Sequence, residues 1–279
     1  MKPITANSNN VQSLILHNVL KEFGYADIKD YQSKNGLVVD GYFGAKSYDK
    51  LYHQILKVEN VNFEGGYWKE QYEKKQIVWH HSAGRDNAKG MFLSWLNDTV
   101  KHVGTSIGIE DDGTIYKGFD ESFWASSIGC KSDVFFKNDI PLIYRNGKIA
   151  NNRILDEGAI CVEVCNAGFL TEKNGKLYTW YNYEMPKEKA IELNYRGYKY
   201  FEIYTDAEIQ ALKYWTLLNA IRFDIPLYYS DSDMWEVSKK ALSGEKGLFT
   251  HNSFRFDKCD VSPQPKLIQM AKSLENYMK

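Results

Sequence analysis

The stretch QIVWHHSAGRD, residues 76–86, places three apolar residues directly before two adjacent histidines and then turns at Ser82-Ala83-Gly84. The apolar run predicts a short buried β-strand. The chain has only six histidines, and two of them lie side by side where this strand ends. Neutral imidazole is a common metal ligand, although a histidine in this position can also simply pack. The pair therefore raises the hypothesis that one of the two histidines holds a metal.

The segments around this strand predict an α/β domain. Residues 105–118 contain an Asp-Asp-Gly turn between two apolar runs, which is typical of a hairpin. Residues 159–168, AICVEVCNAG, predict a central strand with Cys161, Glu163 and Cys165 on one face. Thr205 and Glu208 form a capping-box pattern before an amphipathic helix. Strands that alternate with helices predict a mixed central β-sheet flanked by helices.

The first part of the chain has a different pattern. Residues 10–57 carry short helical periods interrupted by glycines, which predicts a small, mainly α-helical N-terminal domain. Residues 58–71 contain a Gly-Gly pair and no clear period. We therefore predict three parts: a module at 1–57, a linker at 58–71 and a larger domain at 72–279.

Composition narrows the classes of function. Thirty-five basic and 36 acidic residues nearly cancel, so no overall charge favours a nucleic-acid partner. The N-terminus lacks the apolar region of a secretory signal, and no apolar run is long enough to span a bilayer. We expect a chain made in a cytoplasm, without membrane insertion. Aromatic residues make up 15%, which fits either an ordinary core or a sugar-binding surface.

Two further residues could carry chemistry. Glu163 lies in the middle of an apolar strand, where an unpaired carboxylate is costly to bury, so it is exposed, paired or catalytic. His251 follows the short apolar run GLFT, as His80 follows IVW. Each residue alone is weak evidence, and no short spacing such as HExxH links the two histidines.

Taken in order, these motifs resemble the zinc-dependent N-acetylmuramoyl-L-alanine amidases of the type 2 family, which share a fold with peptidoglycan recognition proteins. The resemblance covers about residues 72–270. IVWHHSA matches the family pattern at His80, and DGT at residues 112–114 matches its strand-turn-strand. ICVEVCN matches the strand that carries the family's glutamate, here Glu163. His251 corresponds to the second histidine ligand.

The N-terminal segment has a resemblance of its own. Residues 31–51 are similar to the pattern FQxxxGLxxDGxxGxxT of a common peptidoglycan-binding module. The matching positions are Tyr31, Gln32, Gly36, Leu37, Asp40, Gly41, Gly44 and Ser47. This likeness implies that residues 1–57 form a peptidoglycan-binding-like module and residues 72–279 a zinc amidase domain.

The third metal ligand has two candidates. Cys259 lies eight residues after His251, the spacing of family members with a cysteine ligand, and Asp260 lies nine after it, one short of the usual aspartate spacing. KCDVSP nevertheless fits the aspartate branch's KxDPGP at Lys258, Asp260 and Pro263. The chain also has the strand glutamate, and Thr105 stands where the cysteine branch has a tyrosine. We therefore favour Asp260, with Cys259 as the alternative.

The resemblance implies Zn²⁺ held by His80, His251 and Asp260, with Glu163 as general base and Lys258 as stabiliser of the oxyanion. His81 would point to the opposite face and hold no metal. WASSIG at residues 124–129 departs from the family, which often has a substrate-facing histidine there, and DVSP replaces DPGP.

The implied substrate is bacterial peptidoglycan, cut by a monomeric enzyme at the amide between N-acetylmuramic acid and L-alanine. The biological role would be that of a phage endolysin, which waits in the host cytoplasm and acts at the cell wall after release. A non-catalytic recognition protein and a zinc peptidase that cuts within the stem peptide are the alternatives.

Overall fold

The computed structural model describes residues 1–5, 8, 10–98, 100 and 102–279. The chain begins with two short paired strands and three helices. Their bounds are β1 Ile4–Thr5, α1 Val11–Glu22, α2 Ile28–Lys34, β2 Tyr42–Phe43 and α3 Ala45–Ile55. The Asn10 and Asp27 side chains accept backbone N–H groups at the starts of α1 and α2, which satisfies donors that a helix leaves free. The predicted helical character of this segment is confirmed.

The rest of the chain alternates strands and helices. The strands are β3 Val58–Asn60, β4 Gln76–His81, β5 Ile107–Ile109, β6 Ile115–Lys117, β7 Tyr144–Arg145, β8 Lys148–Ile149, β9 Ala159–Val164, β10 Phe169–Lys173, β11 Lys176–Tyr178, β12 Glu184–Met185, β13 Ala190–Tyr195, β14 Tyr198–Glu202 and β15 Gly247–Thr250. The helices are α4 Ala88–Leu96, α5 Ser132–Lys137, α6 Asn151–Gly158, α7 Asp206–Phe223, α8 Asp231–Trp235, α9 Lys239–Leu242 and α10 Pro265–Leu274. Short 3-10 helices span Lys187–Lys189, His251–Ser253 and Glu275–Met278.

A six-stranded sheet forms the centre, in the order β15-β4-β9-β5-β6-β3. The first four strands are parallel to their neighbours, β6 is antiparallel to β5, and β3 is parallel to β6. The predicted mixed α/β fold with a central sheet flanked by helices is therefore correct. β4 is buried along its whole length, as expected for a parallel strand covered on both faces.

Helix α7 covers one face of this sheet. Ile77 and Trp79 of β4 share a buried core with α7, and the Trp79 indole N–H donates to Thr216 Oγ1 at 3.0 Å. Val78 points to the other face, where it packs in a second cluster with residues of α6 and α9. The predicted capping box at Thr205 and Glu208 is present and begins α7. Because side chains alternate along a strand, His80 belongs to the Val78 face and His81 to the α7 face.

The segment at 58–71 is packed along part of its length. Val58–Asn60 forms the edge strand β3, and Phe63 is only 1% exposed. Helix α1 also shares the α7 core, since Ile15, Val19 and Ile221 belong to one buried cluster. The sequence could not indicate the pairing of β3 with β6, because the three residues of β3 show no period and β6 lies more than 50 residues away. The division at 57 and 71 stays a prediction.

A second sheet is inserted between β9 and α7. It has five antiparallel strands in the order β12-β11-β10-β14-β13. Two of its turns, at residues 174–175 and 196–197, have positive φ at both positions. Asn174-Gly175 is a strong hairpin signal in the sequence that our prediction did not use. Among the described residues, no helix is both long and apolar enough to cross a bilayer.

Candidate metal centre

Three buried side chains converge at the carboxyl edge of the central sheet. His80 ends β4, and His251 directly follows the neighbouring parallel strand β15. The two Nδ1 atoms lie 3.0 Å apart. Asp260 Oδ2 lies 2.8 Å from Nδ1 of His251 and 3.5 Å from Nδ1 of His80. In open α/β sheets this edge is where ligands bind.

The hydrogen bonds of His251 decide what the group can hold. Its Nε2 lies 2.8 Å from the Ile128 carbonyl oxygen, which can only accept, so Nε2 carries a proton. In the neutral ring Nδ1 is then an acceptor, and it faces a carboxylate oxygen and a second imidazole nitrogen. The three atoms His80 Nδ1, His251 Nδ1 and Asp260 Oδ2 make three pairwise contacts. A single proton could satisfy only one of these contacts, whereas a cation between the atoms could bind all three.

The separations also suit zinc. Bonds of about 2.0–2.1 Å in a tetrahedral shell separate donor atoms by roughly 3.3 Å, close to the observed 2.8–3.5 Å. Nitrogen and oxygen donors are ligands that Zn²⁺ accepts, and these three atoms form a group that could hold a metal ion. The donor set therefore fits Zn²⁺.

The electrostatics favour a neutral His80 and an ionised Asp260. Burial, reinforced by the charge of His251, lowers the pKa of His80 to about 4, so its ring is neutral at pH 7. Burial alone would raise the pKa of Asp260. The charge of His251 and hydrogen bonds to both histidines outweigh burial and hold the pKa well below its usual range. A metal requires a neutral imidazole and an ionised carboxylate, and both are present.

The two candidates for the third ligand differ in position. Asp260 belongs to the buried group with His80 and His251, and Cys259 does not. Burial, then the charge of Asp260, raises the pKa of the Cys259 thiol to about 11, while the cations Lys258 and Arg196 act against them. The geometry favours Asp260 over Cys259.

Glu163 lies beside the group on the adjacent strand. It is the register partner of His80 across the β4–β9 pair. Its Oε2 is buried and has no hydrogen-bond partner within the described residues. Burial and the charge of Asp260 raise its pKa well above the ordinary value, and the nearby cation Lys258 opposes them. This carboxyl therefore binds a proton more readily than an ordinary glutamate does.

His81 lies on the opposite face, as predicted from strand alternation. Its Nδ1 is 2.7 Å from the Tyr204 hydroxyl, which also accepts the Ser262 backbone N–H at 3.2 Å. The hydroxyl proton is therefore directed to His81. Burial lowers the pKa of His81 to about 4. These contacts give His81 a packing role next to the chain that follows Asp260.

Sequence analysis missed the partner of His251. The Ile128 carbonyl lies in WASSIG, the segment that departs from the family pattern. Asp156 accepts the backbone N–H groups of Ser127 and Ile128 at 3.1 and 3.0 Å and so fixes this segment. Burial raises the pKa of Asp156 to about 6. A backbone carbonyl leaves no signal in a sequence motif, so only the fold could reveal it.

An aromatic turn from the second sheet borders the loop that follows His81. Trp180 Nε1 donates to the Ala83 carbonyl, and the Tyr181 hydroxyl donates to the Gly84 carbonyl at 3.3 Å. The Trp180 side chain remains 62% exposed. The turn thus fixes this loop and leaves an aromatic face open to solvent.

No family model and no curated protein sequence matches this chain. Among solved structures, it is similar to the N-acetylmuramoyl-L-alanine amidase LysC from Clostridium intestinale URNW, with 13% identity, a TM-score of 0.42, and coverage of 78% of this chain and 97% of that one. The Staphylococcus aureus hydrolase AmiA has 9% identity and a TM-score of 0.42, with coverage of 84% of this chain and 91% of that one. Drosophila PGRP-LB has 12% identity and a TM-score of 0.38, with coverage of 77% of this chain and 94% of that one. Similarity at this level leaves the function to be argued from the site.

Proposed function

We propose that this chain is a zinc-dependent peptidoglycan hydrolase that cleaves the amide between N-acetylmuramic acid and L-alanine. The observation that carries the proposal is the buried His80–His251–Asp260 group, in which three atoms able to bind a metal face one another at 2.8–3.5 Å. Three protein ligands are the number found in catalytic rather than structural zinc sites. The ordered sequence motifs supply the substrate class.

Zn²⁺, when bound, supplies Lewis-acid polarisation of the scissile carbonyl and acidification of a water molecule. His80, His251 and Asp260 would hold it. Glu163, whose pKa is raised, accepts the proton of the attacking water and passes it to the leaving amine. Lys258 carries the positive charge that stabilises the oxyanion, and it lies close enough to Glu163 to lower that residue's pKa.

In this proposal the module at residues 1–57 binds the cell wall, and the chain acts as a monomer. Its role would be that of an endolysin, which waits in a host cytoplasm and reaches the wall after release. Support for the module is the motif at residues 31–51, in which Gln32 Nε2 donates to Asp40 Oδ1 at 2.7 Å and Gln32 Oε1 accepts the Gly41 N–H at 2.9 Å. The motif residues thus hold the glycine turn together. The exposed Trp180 offers a further aromatic surface of the kind that sugars contact.

The proposal is tested on purified peptidoglycan with mass spectrometry of the products. The intact chain should release whole stem peptides and leave intact glycan, and chelation or His80→Ala should abolish this release. Glu163→Gln should retain zinc and lose activity by about 10²–10⁴-fold, the usual contribution of a general base. Unchanged turnover after chelation would refute the zinc mechanism.

The same digest separates the two alternatives. Shortened stem peptides would identify a peptidase that cuts within the stem. Binding to peptidoglycan without any released fragment would identify a recognition protein. Either result would replace the amidase assignment.

A further inference from the structure

One arginine from the second sheet contacts the loop between the two C-terminal metal-site residues. Arg196 lies at the tip of the β13–β14 hairpin, and its side chain is only 12% exposed. One terminal nitrogen donates to the carbonyls of Arg255, Phe256 and Lys258 at 2.7, 3.4 and 2.5 Å. The other donates to the carbonyls of Trp235 and Asn252 at 3.1 and 3.2 Å. Four of these five carbonyls belong to residues 252–258.

This loop, residues 252–258, connects His251 to Asp260. Its ends are tied beside the two ligands, because the Asn252 side-chain amide donates to the Val261 carbonyl at 2.8 Å. Between these ends the carbonyls turn inward onto the guanidinium. The loop is therefore held from two sides: its carbonyls accept hydrogen bonds from Arg196, and its Phe254 is buried in the cluster that contains Val78 and Phe249.

The backbone at Arg196 gives an independent indication. Arg196 and Gly197 have φ of +48° and +85°, the pattern of a two-residue type I′ hairpin turn. Asparagine and glycine are favoured at the first of these positions, and a long side chain is disfavoured there. A residue that violates the local preference is expected where its side chain has a role elsewhere.

We infer that Arg196 is a positioning residue of the metal centre, because its guanidinium holds the loop that places His251, Lys258 and Asp260. The inference rests on the proposed zinc function for its consequence, and on the contacts above for its geometry. The hydrogen bonds of Arg196 given above go to backbone carbonyls and its ion pair goes to Glu236 at 3.6 Å, and none of these partners is a proposed ligand atom. Arg196 acts through the backbone of residues 252–258, so its loss should weaken metal binding while the three ligands remain.

Arg196→Asn is the decisive variant, since it removes the guanidinium and creates Asn-Gly, the preferred sequence for this turn. The hairpin should stay folded. Arg196→Lys keeps a positive charge but only one donor group, so it should recover part of the function. Lys199→Asn removes an exposed cation from the same hairpin and serves as the matched control.

Zinc affinity, measured by competition with a chelator, should fall by about 10–100-fold in Arg196→Asn, the usual cost of losing a group that orients metal ligands. Arg196→Lys should lie between, and Lys199→Asn should equal the parent. The visible spectrum of the Co²⁺-loaded protein should change in Arg196→Asn only. Parent-like affinity and an unchanged spectrum in that variant would overturn the inference.

Hydrogen exchange of the metal-free protein provides a second readout. The amides of residues 252–258 should exchange faster in Arg196→Asn, whereas those of β4 and β9 should not. Uniform acceleration would show a merely structural role and would count against the inference. If the parent takes up no zinc or cobalt, the proposed function fails, and the exchange of residues 252–258 alone decides the role of Arg196.

Discussion

Replacing one of two adjacent residues, Cys259 or Asp260, should have opposite consequences for the thermal stability of the zinc-loaded protein. Asp260 Oδ2 lies 2.8 Å from Nδ1 of His251 and 3.5 Å from Nδ1 of His80, while Cys259 is outside the group. Asp260→Asn keeps the shape of the side chain and removes the ionised oxygen. Cys259→Ser keeps all three proposed ligands.

The size of the effect follows from binding linkage. At a free zinc concentration of about 100 times Kd, binding adds about 2.7 kcal/mol to the free energy of unfolding. For 279 residues that corresponds to a rise in Tm of roughly 5 °C. Loss of a direct ligand should weaken binding by at least the roughly 100-fold found for outer contacts. Asp260→Asn should then retain only about 0.4 kcal/mol of stabilisation at the same zinc concentration.

Calorimetry in zinc-buffered and chelator-containing solutions measures both quantities. The parent and Cys259→Ser should show the full rise in Tm on adding zinc, and Asp260→Asn should show about 1 °C. The metal-free Tm of each variant is the internal control, because it separates loss of metal from loss of folding. A full rise in Asp260→Asn together with none in Cys259→Ser would show that the cysteine is the ligand.

Two further predictions concern the packing around the site. Gly168 has φ of +76°, and a Cβ there would lie 2.5 Å from His81 Nε2, whereas Gly175 has φ of +74° and nothing within 4 Å. Both alanine variants bear the left-handed backbone cost of about 1–2 kcal/mol, so Gly168→Ala should unfold at lower denaturant than Gly175→Ala, and equal midpoints would contradict the contact. The second prediction is a pH slope: the pKa of His81 is lowered to about 4, so between pH 6.5 and 4 the unfolded chain binds a proton that the folded chain does not. Stability therefore falls as pH falls, by roughly 1.4 kcal/mol per pH unit from this residue. Metal-free His81→Asn, which keeps an acceptor for Tyr204, should show a slope smaller by that amount in denaturant titrations, and identical slopes would contradict the assignment.

Local patterns in the sequence predicted the elements that carry the proposed ligands. Gln76–His81 and Ala159–Val164 are strands, as predicted. The prediction was possible because a short apolar run is enough to indicate a buried strand. Thr205 and Glu208 begin α7, because a capping box acts within one turn of helix. The order of His80, Glu163 and His251 indicated a common site only through the resemblance to the amidase pattern.

The supporting contacts could not be predicted, because they join distant parts of the chain. The Ile128 carbonyl meets His251 across 123 residues, and the Arg196 guanidinium meets Lys258 across 62. In each contact one partner is a backbone carbonyl, which a sequence motif does not record. β3 likewise depends on β6 to become a strand. For the second sheet, the local sequence signal is Asn174-Gly175, which is typical of the hairpin turn between β10 and β11.

The shared core of α1 and α7 has a consequence for how such an enzyme would meet its substrate. Ile15 and Val19 pack in the same cluster as Ile221, and Tyr52 donates to Glu121 at 3.2 Å across the same boundary. If residues 1–57 are the proposed wall-binding module, this shared core would hold them at a constant angle and distance to His80, so they would not search the wall on a tether. If the module binds the wall, the bond that is cut would be the one that lies at this fixed distance from the bound module. Exchange of modules between such chains would then succeed only when α1 is exchanged together with the face of α7 that it covers.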